Sequence, residues 1–74
     1  MFAFRRTVTR RRVIVNLVSG TAFSGVLWAK RGPLLVMRDV AHLEAARDPI
    51  PMDGEVVVER TRVEYIQVLV AGDA

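Results

Sequence analysis

Seventy-four residues, 51% of them apolar, with no cysteine and a formal charge of +3, allow one small domain and exclude a disulfide scaffold or a thiolate metal site. A chain this short hides only about 60% of the surface it exposes when unfolded, so burying its strand edges against other copies would stabilise it. The charge is uneven. Arg5, Arg6, Arg10, Arg11 and Arg12 stand in the first twelve residues without an acidic neighbour, whereas the remainder carries six lysines and arginines against eight carboxylates. The basic character therefore belongs to an N-terminal arm, residues 1–11, suited to phosphate backbones, to an acidic protein surface or simply to solvent.

The arm alternates apolar and polar residues at Phe2, Phe4 and Val8, and its threonines and valine are weak helix formers. The first strand is expected over 12–18, where Val13, Val15 and Leu17 share a face opposite Asn16. Ser19 and Gly20 make a turn. Another strand, 22–30, continues the two-residue period through Phe23, Gly25 and Leu27. A glycine inside a strand marks a bulge or sharp bend, which a small closed barrel requires. Gly32 and Pro33 end it, and a third strand covers 34–41, Leu35 and Met37 alternating with Val36 and Arg38.

Residues 42–53 read as a loop, because the helix formers at 43–47 are followed at once by Pro49 and Pro51. After Gly54 a fourth strand spans 55–60, with Val56 and Val58 on one face and Val57 and Glu59 on the other. A tight turn near 60–62 leads to a fifth strand, 63–70. Val63, Tyr65, Gln67 and Leu69 should share one face of it, with Ile66, Val68 and Val70 on the other. Residues 71–74 form a short tail. A strand apolar on both faces needs cover on two sides or a partner chain along its edge.

Residues 13–29 carry no charge and reach the length of a short membrane span. Asn16, Ser19, Gly20, Thr21, Ser24 and Gly25 interrupt them, and basic residues at both ends give no orientation bias. No small-residue cleavage site follows an apolar run where a signal peptide would place it. A cytoplasmic protein without membrane contact is the expectation. Catalysis is not expected either: there is a single histidine, and Ser19 and Ser24 have no base in evident reach. His42 and Glu44 are too few for a zinc site, and Asp48 and Asp53 read as turn residues. No cofactor or metal is implied.

The spacing Val-x-Val-x-Leu-x-x-Gly-x-x-Phe-x-Gly-x-Leu, carried by Val13, Val15, Leu17, Gly20, Phe23, Gly25 and Leu27, resembles the first signature motif of the Sm/LSm family, which includes bacterial Hfq. Asp39 resembles the acidic residue that ends the family's third strand. Gly54 with the strand after it, and Val63, Glu64, Tyr65 and Ile66, resemble the family's other motif. The resemblance implies an all-β fold: a small, five-stranded, strongly bent antiparallel barrel of SH3-like type, with a Sm-like domain over 12–70. It also implies a homo-oligomeric ring, a hexamer or heptamer, in which the fourth strand pairs with the fifth strand of the next subunit. Val56, Val58, Tyr65, Ile66 and Val68 would then line the oligomer interface.

Such rings usually bind single-stranded RNA between two loops near the pore. Here one loop reads Arg31-Gly32-Pro33-Leu34 where the family has an Asp-x-His-Met-Asn type segment. The other corresponds by resemblance to Glu59-Arg60, where the family usually has Arg-Gly. Contacts to phosphate are therefore expected in place of base reading. Lys30, Arg31, Arg60 and Arg62 would gather at the pore, with Arg10 and Arg11 reaching from the arm. Trp28, on the outer face beside Lys30 and Arg31, offers either a stacking platform or an interface contact. The expected partners are other copies of the chain and single-stranded RNA. The alternative is a structural or adaptor ring that assembles protein partners.

Overall fold

A computed structural model describes residues 10–69. It holds six strands: β1 (Arg11–Leu17), β2 (Ala22–Arg31), β3 (Leu34–Leu43), β4 (Ile50–Met52), β5 (Val56–Glu59) and β6 (Val63–Val68). A single 3₁₀ turn, Arg60–Arg62, separates the last two. All pairings are antiparallel, in the order β4-β3-β2-β1-β6, and β5 also pairs with β3. The architecture is the all-β, strongly bent antiparallel sheet that the alternation and the mid-strand glycine lead one to expect. No helix among the described residues is long and apolar enough to cross a membrane.

The core follows directly from the two-residue period. Val13 and Val15 of β1, Leu27 of β2, Leu35, Met37 and Val40 of β3, and Val58 of β5 are buried. Leu17, Phe23, Val56, Val63, Ile66 and Val68 pack around them. Leu27 and Leu35 are fully enclosed, and truncating such a side chain to alanine removes about 2–5 kcal/mol.

Three irregularities curl this ribbon. Opposite Gly25, Ser24 pairs with Ala41 and Val26 with Arg38, so that Asp39 and Val40 face a single glycine. Asp39 holds φ 55°, a left-handed conformation that aspartate tolerates better than most residues, and its carboxylate is ion-paired with Arg12. The strands approach so closely that a Cβ on Gly25 would lie 3.0 Å from the Arg38 carbonyl oxygen and 3.1 Å from Val40 Cγ2. A further bulge lies in β2, where Trp28 is passed over between the Leu27–Met37 and Ala29–Val36 pairs. The third lies in β6 at Glu64, between the Asn16–Tyr65 and Leu17–Val63 pairs. Extra residues of this kind bend a strand and raise its twist.

The bend explains where the expectations need correction. Five strands become six because β3, kinked at Asp39, presents two straight halves. Leu34 to Met37 pair with β5, and Val40 to His42 pair with β4. On the opposite side the chain breaks at Asp53 and Gly54, Gly54 taking φ 76°, to step past the corner. The expected loop 42–53 is thereby shortened, since His42 and Leu43 continue β3 and Ile50–Met52 form β4. Pro51 is tolerated because β4 is an edge strand. Similarly, the bulge at Glu64 turns Val63 toward the core beside Ile66 and Val68, not toward Tyr65 as strict alternation suggests. Arg11, expected in the arm, begins β1 and pairs with Leu27. The rest of the arm, apart from Arg10, and the 71–74 tail lie outside the described residues.

Gly25→Ala is expected to lower stability by about 1–3 kcal/mol, the range for forcing an extra atom into a close-packed site. A urea or thermal melt reads this directly. An unchanged midpoint would mean that the corner does not depend on that approach.

Candidate nucleic-acid interface and open sheet edges

Gly32, at φ 58°, and Pro33 join β2 to β3 in two residues, a turn whose first position calls for glycine. The Pro33 carbonyl oxygen accepts a hydrogen bond from the Arg60 backbone N–H at 2.8 Å. This turn and the 3₁₀ segment therefore lie side by side. At the far end of the segment, Val18 N–H donates to the Arg62 carbonyl oxygen at 2.8 Å, which ties it to the β1–β2 turn. The Arg62 guanidinium stands 4.0 Å from Glu59 Oε1.

Pleating divides the cations between two faces. Lys30 lies across from the enclosed Leu35, and Arg11 across from the enclosed Leu27. Directly opposed residues share a face, so both side chains belong to the core side, where they are exposed at the barrel rim. Arg31 lies across from Leu34 and points to the outer face. Among the described residues, Lys30, Arg31, Arg10 and Arg11 take part in no ion pair with a carboxylate.

Trp28 is half-buried on the outer face and is engaged from both neighbouring strands. The Arg10 guanidinium carbon sits 3.9 Å from its ring centroid and that of Arg38 sits 4.1 Å away. Arg10 Nε also donates to the Trp28 carbonyl oxygen at 3.1 Å, and Arg38 Nε donates to Glu55 Oε2 at 2.8 Å. A base stacking on Trp28 would have to displace a guanidinium. Arg38 and Glu55 did not stand out in the sequence; the only signal was that Arg38 alternates in step with Leu34 and Val36. His42, by contrast, packs its ring 5.4 Å from that of Phe23, with Glu44 3.6 Å away.

β5 uses one edge to pair with β3, and β6 uses one edge to pair with β1. Among the described residues the other edge of each strand has no ladder. Val57 and Tyr65 are each 54% exposed. Along β6, beside the Arg60–Arg62 segment and Pro33, runs a groove of about 510 Å³, lined by Pro33, Leu35, Arg60, Val63, Tyr65 and Ile66 among others. Of the residues expected at an interface, Val58 must be reassigned. It pairs with Leu35, is only 6% exposed, and fills the subunit's own core. Its neighbour Val57 is the one that faces out. Tyr65 is exposed, while Val56, Ile66 and Val68 are half-buried against the core.

This geometry defines the Sm fold: a short antiparallel sheet, sharply bent at a mid-strand glycine, with β4, β5 and β6 each paired along one edge only among the described residues. A heptameric archaeal Sm protein superimposes with a TM-score of 0.76 at 19% identity, over 90% of this chain and 97% of that one. The P. aerophilum SmAP1 heptamer gives the same score and identity over 90% and 89%. A chain of the NatC complex bound to CoA follows at 0.72 and 23% identity, over 86% and 82%. At these identities the likeness is one of fold. No protein-family model and no curated protein matches the chain.

Because Trp28 is the sole tryptophan, its emission reports on the two guanidiniums. Arg10→Ala is expected to red-shift that emission, raise quenching by acrylamide and cost about 0.5–1 kcal/mol. Arg38→Ala should cost more, since it also leaves Glu55 without its partner. Unchanged emission in both variants would show that the stack is not formed in solution.

Proposed function

We propose that the chain assembles into a homo-oligomeric Sm-like ring, of six or seven copies, that binds single-stranded nucleic acid, RNA in particular. The observation that carries the ring is the pair of open edges. β5 of one copy would extend its ladder onto β6 of the next, satisfying backbone groups that otherwise form an exposed template. The same contact would bring the outward Val57 near Tyr65 of the adjacent copy and cover the groove beside Ile66. Solved neighbours of the fold are heptamers, which supports this arrangement.

RNA binding rests on charge. Lys30 and Arg31 end β2 beside the Arg60–Arg62 segment, Lys30 on the core side and Arg31 on the outer face, while Arg11 begins β1 on the core side and Arg10 precedes it. Repeated around a ring, these cations would focus a positive field. The turn Arg31-Gly32-Pro33-Leu34 carries no carboxylate, amide or hydroxyl side chain to read a base edge, so contact is mainly with phosphate and tolerant of sequence. That same lack, with Trp28 already engaged by two arginines, favours an alternative reading, a non-enzymatic adaptor ring that assembles protein partners.

Light scattering should give six or seven times 8.3 kDa, and the double change Val57→Asp with Tyr65→Glu should reduce it to a folded monomer. A wild-type monomer would sink the ring. Fluorescence anisotropy with oligo-U and oligo-A should show similar affinities, each falling steeply with salt by about 0.7 in log–log slope per phosphate neutralised. Affinity indifferent to salt would exclude the phosphate mode, and the absence of any RNA binding by an intact ring would leave the adaptor reading.

A further inference from the structure

The outer face carries a feature that neither turn nor edge accounts for. A groove of about 300 Å³ runs beside Trp28, with Leu34, Val36 and Val57 contributing apolar surface and Arg31 and Arg38 contributing charge. Opposed pairs place these residues on one face: Arg31 across from Leu34, and Val36 across from both Ala29 and Val57. Leu34 is 37% exposed and Val57 54%. Arg38 is neutralised by Glu55 at 2.8 Å, but Arg31 pairs with no carboxylate among the described residues.

We infer that this groove docks an acidic segment of a protein partner, one apolar side chain seated against Leu34, Val36 and Val57 and a neighbouring carboxylate bound to Arg31. Charge complementarity selects the occupant. The groove is at the small end of ligand sites, enough for one or two side chains. A carboxylate matches the planar, bidentate donor face of a guanidinium. Polynucleotide fits less well: the Trp28 ring already has a guanidinium on each neighbouring strand, no lining residue has a side-chain amide or hydroxyl, and Glu55 stands in the wall. The inference does not require the ring. Pairing along β5 would bring Val57 to the border with the neighbouring copy and leave Arg31, Leu34 and Val36 on the outer face beside it.

The test uses the full-length protein and reads the emission of Trp28 while titrating an acetylated peptide that alternates aspartate with leucine and phenylalanine. Its asparagine analogue and oligo-A RNA serve as comparators. Saturable binding of the acidic peptide is expected, at least about tenfold weaker for the asparagine analogue and for Arg31→Glu, the loss of one charge-assisted hydrogen bond. Leu34→Ser should also weaken the peptide. Lys30→Glu should leave it intact while weakening RNA, because that side chain lies on the opposite face. No saturable change with the acidic peptide, equal binding of the two peptides, or a Trp28 response to oligo-A alone would each overturn the inference. A lysine-substituted peptide that binds Arg31→Glu and not the wild type would confirm the charge pairing even if Leu34→Ser folds poorly.

Discussion

A sheet of such short strands can enclose a core only by turning back on itself, and the turn is concentrated where Gly25 meets Asp39. The absent side chain at Gly25 lets the backbone of β3 come within contact of β2, and the left-handed Asp39 supplies the extra residue that makes the kink. Arg12 then holds the Asp39 carboxylate from the far strand. Such an exposed ion pair adds little stability by itself, so its role is to orient the corner. Once β3 is kinked, its two halves need separate partners, and β4 and β5 follow from that geometry.

The same bend leaves the barrel incomplete. With β3 curled away, β5 pairs only with β3 and β6 only with β1, so each keeps one edge without a ladder among the described residues, and an apolar-lined groove runs beside β6. A small chain has little core to compensate for open edges, so the fold and the proposal of self-assembly share one physical cause. The bulges also sort charge. Trp28 is the extra residue in β2, and the residues beyond it, Ala29 and Arg31, continue on the outer face while Lys30 falls on the core side. Lys30 and Arg31 fall on opposite faces because successive strand residues alternate, and the inserted residue decides that Arg31 is the one facing out.

Much of the fold is legible along the chain. The alternation of Val13, Val15 and Leu27, and of Leu35 and Met37, names the core without knowledge of any contact, because a strand's faces repeat every two residues. Gly25 announces the bend for a similar reason, since a glycine inside an apolar strand has few other uses. The failure at Val58 is more instructive. Alternation correctly puts Val56 and Val58 on one face, but nothing in a local pattern says whether that face meets the subunit's own interior or a neighbour. Only the register opposite Leu35 decides it.

Local pattern is therefore enough for the strand class, the identity of most core residues and the position of the corner. These depend on periodicity and on the conformational limits of single residues. It took the folded chain to bring Arg10 and Arg38 together on Trp28, to pair Asp39 with Arg12 and to turn Val63 inward. Each depends on register across strands distant in the chain, and a single bulge shifts that register by one residue and exchanges the two faces.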